Sequence, residues 1–457
     1  MLRQNQISGG TGLRCSIFFL FMLSVTMLFA GCAAIGSEVK KSDTAGDGPD
    51  IRVQIVSQKP ELMVIPNDTW TLGTKDNLFE YQGYGDTQIN FMAGNNGSVL
   101  AHINEDVVDG KALIFNAAGN NRSFQLRSGP RGATHNEGTY EGKLVIYAGQ
   151  DNTLEAVLTL PLEKYLLGVV PAEIGGGSPM EAMCAQAVAA RSEAMSALVT
   201  GKYAGDHHDL CSTVMSQVFV GQERQTEETN ESVRRTRGII MMFEGEPVSA
   251  YYSAHCGGHT EDIRNVWFHR NDERSYWDAG TFDGEAAEYY SLDLTREEDF
   301  HKWVKSSPPS YCNPEYYTMP QWTHGNFRWK REVSAERLSA RVARRKDIGR
   351  VTSIRPIRRG VSGRLIEVDF IGEKGTLRVG PELSIRQIFS PLLKSAAFVV
   401  ETEGPEERPE QFIIRGAGRG HGVGMCQTGT MGMANDGKNF REIISNYYPH
   451  VTLEEVY

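Results

Sequence analysis

The sequence predicts an α+β protein, and three observations carry that prediction. Ile51-Arg-Val-Gln-Ile-Val56 alternates apolar and polar residues, and Lys143-Leu-Val-Ile-Tyr147 is a second apolar run; both read as strands. Residues 178–198 form one long helical stretch dense in alanine (Ala182, Ala185, Ala187, Ala189, Ala190, Ala194), narrow enough to pack close to a neighbour as a buried central helix. Strand-like runs return at 351–357, 364–370, 375–379 and 411–415, with helical patterns at 334–345 and 440–447. The expected architecture is a mixed β-sheet core around the Ala-rich helix, preceded by a small β-rich region over residues 51–140.

Taken in order, the elements begin with an export signal. Arg3 and Arg14 precede a charge-free run over 16–36 that closes on Leu28-Phe-Ala-Gly-Cys32. A basic flank, an apolar stretch and small residues before a cleavage point make residues 1–31 a secretory signal, and the ending has the form of a lipobox with Cys32 acylated. A single uncleaved anchor is the other reading of the same run. Either one exports the remainder and leaves it membrane-anchored on the envelope face, because the basic residues stay inside. Residues 32–50 are small and polar and read as a flexible tether.

Through 51–140, strands are divided by turn clusters such as Gly94-Asn-Asn-Gly97. Next, a strand passes through Pro161 into a short helix that ends near Pro171-Ala-Glu173-Ile174, before Gly175-Gly-Gly177. Ser178 is placed to cap the central helix, with Pro179 at its first position, Glu181 completing a capping box and the end before Gly201. Residues 239–253 read as a hairpin around a Glu-Gly-Glu-Pro turn.

The chain has 457 residues, a formal net charge of −10 and 40% hydrophobic residues. That length allows a sizeable core. The acidic balance excludes broad nucleic-acid binding, which needs concentrated basic surface. Of the seven cysteines, removing Cys15 and Cys32 leaves five, so one thiol stays unpaired in any intramolecular scheme.

Three segments could carry chemistry. Glu173 is a lone acid beside Val169, Val170, Pro171 and Ile174. Apolar surroundings favour its neutral form, which suits a general acid near neutral pH. A glutamate held by helix-start N–H groups is the bland alternative. The run Gly416-Ala-Gly-Arg-Gly-His421-Gly-Val-Gly-Met-Cys-Gln427 has glycines where backbone bends sharply or approaches something closely, with His421 and Gln427 as polar groups. It is neither a phosphate-binding loop nor a dinucleotide fingerprint. The third segment, Tyr251 to Glu261, holds His255, Cys256 and His259, which together with Cys211, His207 and His208 could ligate zinc as a zinc hydrolase would. A Cys211–Cys256 disulfide is the alternative in an exported chain.

Taken together, Leu160-Pro-Leu-Glu-Lys-Tyr-Leu-Leu-Gly-Val-Val-Pro-Ala-Glu173, Glu181-Ala-Met-Cys-Ala-Gln-Ala-Val-Ala-Ala-Arg191, Cys256-Gly-Gly-His-Thr-Glu261 and Gly418-Arg-Gly-His-Gly-Val-Gly-Met-Cys-Gln427 occur in this order. That set resembles the SpoIID/LytB family, named for stage II sporulation protein D and an amidase enhancer. Ser362-Gly-Arg364, Ser384-Ile-Arg386 and Tyr447-Tyr-Pro449 fit the same pattern, and the resemblance spans 141–457. It implies a lytic transglycosylase acting on peptidoglycan glycan strands stripped of stem peptides, with Glu173 catalytic and Gln186, Arg191, Arg419, His421 and Gln427 contacting substrate. The amidase-enhancer branch implies instead a non-catalytic wall-binding module that works with a cell-wall amidase. The resemblance brings no cofactor beyond zinc. Sporulation-type members bind zinc with a Cys-x-x-x-His-Cys cluster. Here Cys211 keeps its place but Met215 and Ser216 stand where the His and second Cys would be, and neither is a good zinc ligand. The metal site is therefore expected to be lost or altered, with Cys211–Cys256 as a substitute link. Cys184 and Cys426 are expected as buried small thiols.

Overall fold

The β-rich part of the chain begins with a strand, Asp50–Lys59, that pairs antiparallel with Leu154–Pro161, more than ninety residues on. This computed structural model describes residues 46–78, 80–128, 137–267 and 280–457; the expected signal peptide, Cys32 and most of the expected tether lie outside them. The first sheet adds Lys143–Ala148, Ala112–Ala117, Thr69–Gly73 and Tyr81–Tyr84 on one side and the short Leu210–Cys211 on the other. Leu210–Cys211 runs parallel to the first strand, so the sheet is mixed. A second sheet is ordered Gly138–Glu141, Ser123–Arg127, Glu61–Pro66, Ile89–Ala93, Val99–Ile103 and Asp106–Gly110. Alternate residues point inward, as the sequence pattern dictates: Val53, Val64, Phe91, Phe115 and Phe124 are fully buried in one core. Phe115 of the first sheet meets Phe124 of the second edge-on, with centroids 5.2 Å apart. Strands on both sides of residue 140 build the first sheet, so the β-rich region shares its core with the entry and central helices.

Leu154–Pro161 leads directly into the entry helix, Leu162–Glu173, and the central helix, Met180–Thr200, comes next. Alanines line much of the central helix and are buried on several sides, as expected for a helix enclosed by neighbours. The helices Glu227–Arg235, Gln427–Asn435 and Phe440–Tyr447 and the strand Ile239–Phe243 all pack on it. The helix ends at Gly201 in the left-handed conformation (φ 60°, ψ 45°). Its start departs from expectation. Ser178 donates to the Ile174 carbonyl (2.7 Å) instead of capping the helix, and Glu181 turns outward to Arg235 and the Phe440 N–H.

The expected hairpin forms only in part. Ile239–Phe243 pairs with Glu246–Pro247, but the chain then leaves, and Tyr252–Ser253 runs parallel to Met425–Cys426. The C-terminal strand Thr452–Glu455 takes the other edge of Ile239–Phe243. A further lobe has its own core, around Leu338, Val351, Phe370 and Phe412, between two three-stranded antiparallel sheets. The sheet formed by Arg328–Ser334, Gln411–Ala417 and Phe398–Glu403 leads into the glycine-rich segment.

Candidate active site

Glu173 closes the entry helix, and packing further along that helix sets what its carboxyl meets. At Gly168 a β-carbon would lie 2.6 Å from both the Gly221 carbonyl oxygen and the Phe219 ring. Only glycine lets the helix approach the segment 217–221 this closely. That segment in turn delivers the Val218 N–H to Glu173 Oε1 at 2.7 Å. After Ile174, Gly175 at φ +82° turns the chain away, so the carboxyl stays at a helix end.

The second partner comes from the opposite end of the sequence. The parallel pairing of Tyr252–Ser253 with Met425–Cys426 sets Gln427 at the start of its helix beside the entry helix. Gln427 Nε2 lies 3.4 Å from Glu173 Oε2 and donates to Gln186 Oε1 at 3.1 Å. Tyr252 completes the group. Its hydroxyl is buried without a well-formed hydrogen bond, yet it sits close enough to Glu173 to act on the carboxyl. Part of the Glu173 surface reaches solvent although protein atoms crowd round it. Burial pushes its pKa above the usual carboxylate value, while hydrogen bonds from the Val218 N–H and Gln427, together with the nearby Tyr252 hydroxyl, oppose that rise without cancelling it. The arrangement biases the carboxyl toward its neutral form, with hydrogen-bond donors ready for its charged form.

The glycine-rich segment winds round one buried arginine. Gly418, Gly420, Gly422 and Gly424 have φ of +77°, +92°, +82° and +68°. A β-carbon at Gly422 would meet Arg364 Cζ at 2.5 Å, and one at Gly424 would meet the Tyr251 carbonyl oxygen at 2.1 Å. Arg364 donates to Ser362 Oγ (3.0 Å), the Cys256 carbonyl (3.0 Å) and the Gly420 carbonyl (3.3 Å). The segment is thus a packed wall that holds Gln427 and Tyr252 in place. His421 accepts from the Val423 N–H (3.1 Å) and packs against Trp267. Burial, with Arg364 and Arg386 nearby, pushes its pKa down to about 3, so it is neutral at physiological pH. Arg419 is exposed, and its guanidinium forms no ion pair among the described residues.

Several expected roles are corrected by the structure. Arg191 is fully buried and pairs bidentately with Glu163 (2.7 and 2.9 Å), so it cannot reach a ligand. Gln186 is also fully buried and acts on Gln427, not on a substrate. The Cys211–Cys256 link does not form: both are free thiols in different surroundings. Cys211 lies 3.3 Å from Ser216 Oγ and 3.4 Å from Thr213 Oγ1, whereas Cys256 lies 3.5 Å from Cys312 Sγ. His259 is not beside Cys256 as a ligand. Its Nδ1 meets the Thr260 carbonyl at 2.8 Å, and burial pushes its pKa down to about 4. His255 Nδ1 accepts from the Gly257 N–H, so no set of His255, Cys256 and His259 converges on one point. Met215 is exposed and Ser216 is bonded to Cys211. Among the described residues, the cluster able to hold a metal is Cys256, Asp283, Cys312 and Cys426. Cys184 is buried and its thiol pushed up to about 11 by burial.

Two residues at Glu173 carry no plain sequence signal of their role. Val218 contributes only its backbone, which no side-chain pattern can reveal. Tyr252 stands inside the 251–261 motif, but the histidines and cysteine there are what draw a functional reading. Two concavities, one of about 520 Å³ lined by Lys305, Trp329, Lys330 and Arg415 and a smaller one beside Thr260 and Tyr447, do not include Glu173.

Known proteins share much of this chain. A family model described as stage II sporulation protein (SpoIID) matches residues 150–243, which hold Glu173, Gln186 and Val218. A second model, of a domain of unknown function, matches 263–424. An uncharacterized protein of Brachyspira hyodysenteriae is 30% identical over 324 residues, 70% of this chain and 74% of the relative. The stage II sporulation protein D of Bacillus subtilis is 26% identical over 66% of this chain and 76% of its own length. The amidase enhancer of the same organism is 26% identical over 63% of this chain, a match that spans only 40% of that larger protein.

Proposed function

The chain belongs to the SpoIID/LytB family, with a cell-wall-related role, and on that footing we propose that it is a peptidoglycan lytic transglycosylase using Glu173 alone. The observation that carries the proposal is the setting of that one carboxyl: raised by burial, yet supplied with N–H and O–H groups that favour its charged form. A group of this kind can change protonation state within one catalytic cycle. Protonated Glu173 gives its proton to the glycosidic oxygen between N-acetylmuramic acid and N-acetylglucosamine, and that bond breaks. The resulting carboxylate, held by Val218, Gln427 and Tyr252, then takes the proton of the muramic 6-hydroxyl as its oxygen attacks C1. The product carries a 1,6-anhydro ring, and no water is consumed. One carboxyl suffices, whereas ordinary glycosidases need two. Arg419, exposed at the rim of the glycine segment, and His421 are placed in this reading to meet the glycan.

A second reading rests on the amidase-enhancer relative: the chain binds glycan strands without cleaving them and stimulates a partner amidase. Incubating purified, peptide-free glycan strands with the wild type and with Glu173→Gln separates the two. The first reading expects anhydro-ended fragments from the wild type and none from the variant. Binding by both proteins with intact strands leaves only the second. We also propose that the protein is an exported lipoprotein held by Cys32, which predicts that Cys32→Ala moves it from the membrane fraction to the soluble envelope fraction.

A further inference from the structure

We propose that Cys256, Cys312, Cys426 and Asp283 hold one buried structural zinc ion, at a place in the fold separate from Cys211. The four ligand atoms all lie within 4.8 Å of one another. Cys256 Sγ is 3.0 Å from Asp283 Oδ2 and 3.5 Å from Cys312 Sγ. Zinc–sulfur bonds of about 2.3 Å in a tetrahedron put neighbouring sulfurs about 3.7 Å apart, so small shifts seat an ion at the centre. All four side chains are buried, with exposures of 2%, 0%, 0% and 1% in the order named. Three thiolates and one carboxylate suit zinc and not magnesium or calcium, and a closed four-ligand set is structural.

The surroundings fit an ion. The Cys256 and Gly429 N–H groups point at Cys426 Sγ (3.1 and 3.2 Å), and Gly258 N–H points at Cys256 Sγ (3.3 Å). Tyr447 donates to Asp283 Oδ1 at 2.8 Å, leaving Oδ2 toward the sulfurs, as second-layer partners of metal ligands do. At Gly429 a β-carbon would lie 2.6 Å from Asp283 Oδ2, so the helix start comes as close as it can. No lysine or arginine pairs with Asp283 among the described residues. A fully buried carboxyl without a cation is costly, and a divalent ion supplies one. Binding releases the thiol protons to solvent.

The ion would join four parts of the chain: the turn after Tyr252–Ser253, the loop at 283, the loop at 312 and the start of the helix Gln427–Asn435. Cys426 adjoins Gln427, so the ion would fix the residue that touches Glu173. This holds equally for a cleaving enzyme and for a wall-binding module. The test is elemental analysis of purified full-length protein, with thiol counting and intact mass. The wild type is expected to carry about one zinc per chain, and Cys312→Ser and Cys426→Ser to fall below about a tenth of that. Cys211→Ser serves as the control and keeps its zinc. Asp283→Asn, the mildest change, should bind zinc about 10-fold or more weakly while remaining folded. Folded wild type without stoichiometric zinc overturns the proposal. So does zinc that survives both serine variants, or an intact mass showing a Cys256–Cys312 disulfide.

Discussion

In the proposed reaction one side chain, Glu173, acts as an acid and then as a base, and its neighbours divide those tasks. Burial favours the proton, while the Val218 N–H at 2.7 Å favours its loss. Replacing Glu173 with Gln keeps a carbonyl oxygen for Val218 and removes the titrating group. General acid–base catalysis contributes about 10²–10⁴-fold, so turnover should fall by at least that much. The same residue predicts a stability trend. Its folded pKa is raised above the unfolded value, so the wild type is most stable, relative to Glu173→Gln, at low pH. That advantage is lost as pH rises through the raised pKa. Melting curves from about pH 4 to about pH 8 should therefore show the variant gaining on the wild type as pH rises, and a constant difference would contradict the assigned burial. Tyr252→Phe removes one hydroxyl next to the carboxylate. A hydrogen bond to a charged group is worth about 1.5–3 kcal/mol, so kcat should fall about 10- to 100-fold with binding little changed.

The elements that hold this site differ in how openly the sequence announces them. The helix Phe440–Tyr447 has the expected bounds because Asn439 and Glu442 form its capping box and its apolar face is plain. The helix Gln427–Asn435 hides behind Gly429 and Gly432, which look like breakers. At Gly432 a β-carbon would lie 1.9 Å from the Tyr311 carbonyl oxygen, so glycine is there for close packing. Residues 248–253 have a strand's composition, yet tertiary pairing with Met425–Cys426 decides where Tyr252 goes. Arg191 lies in a family-like motif and reads as a ligand residue, but its bidentate pairing with Glu163 is visible only in three dimensions. Arg191→Met leaves Glu163 buried and uncompensated, a loss of about 3–5 kcal/mol in chemical unfolding, and adding Glu163→Gln should recover part of it. Gly422→Ala tests the glycine segment. The left-handed backbone alone costs about 1–2 kcal/mol, and the Arg364 contact at 2.5 Å adds to it.

Across the whole molecule, the site depends on residues 254 positions apart, Glu173 and Gln427, brought together on the central helix. The order of the motifs is readable, because each has local residue signals. The way they close on one carboxyl is not, since that depends on a parallel two-residue pairing and on the backbone of Val218. Asp283 and Cys312 stand in no motif, and only the fold brings them to Cys256 and Cys426. The β-rich region is likewise continuous with the first sheet, a link set by the pairing of Asp50–Lys59 with Leu154–Pro161. The most direct test of one proton shuttled by Glu173 is glycan digestion in heavy-oxygen water, with fragments weighed by mass spectrometry. Intramolecular attack by the 6-hydroxyl predicts fragments one water lighter than hydrolysis products and free of label, and none with Glu173→Gln. Labelled reducing ends from the wild type would contradict it.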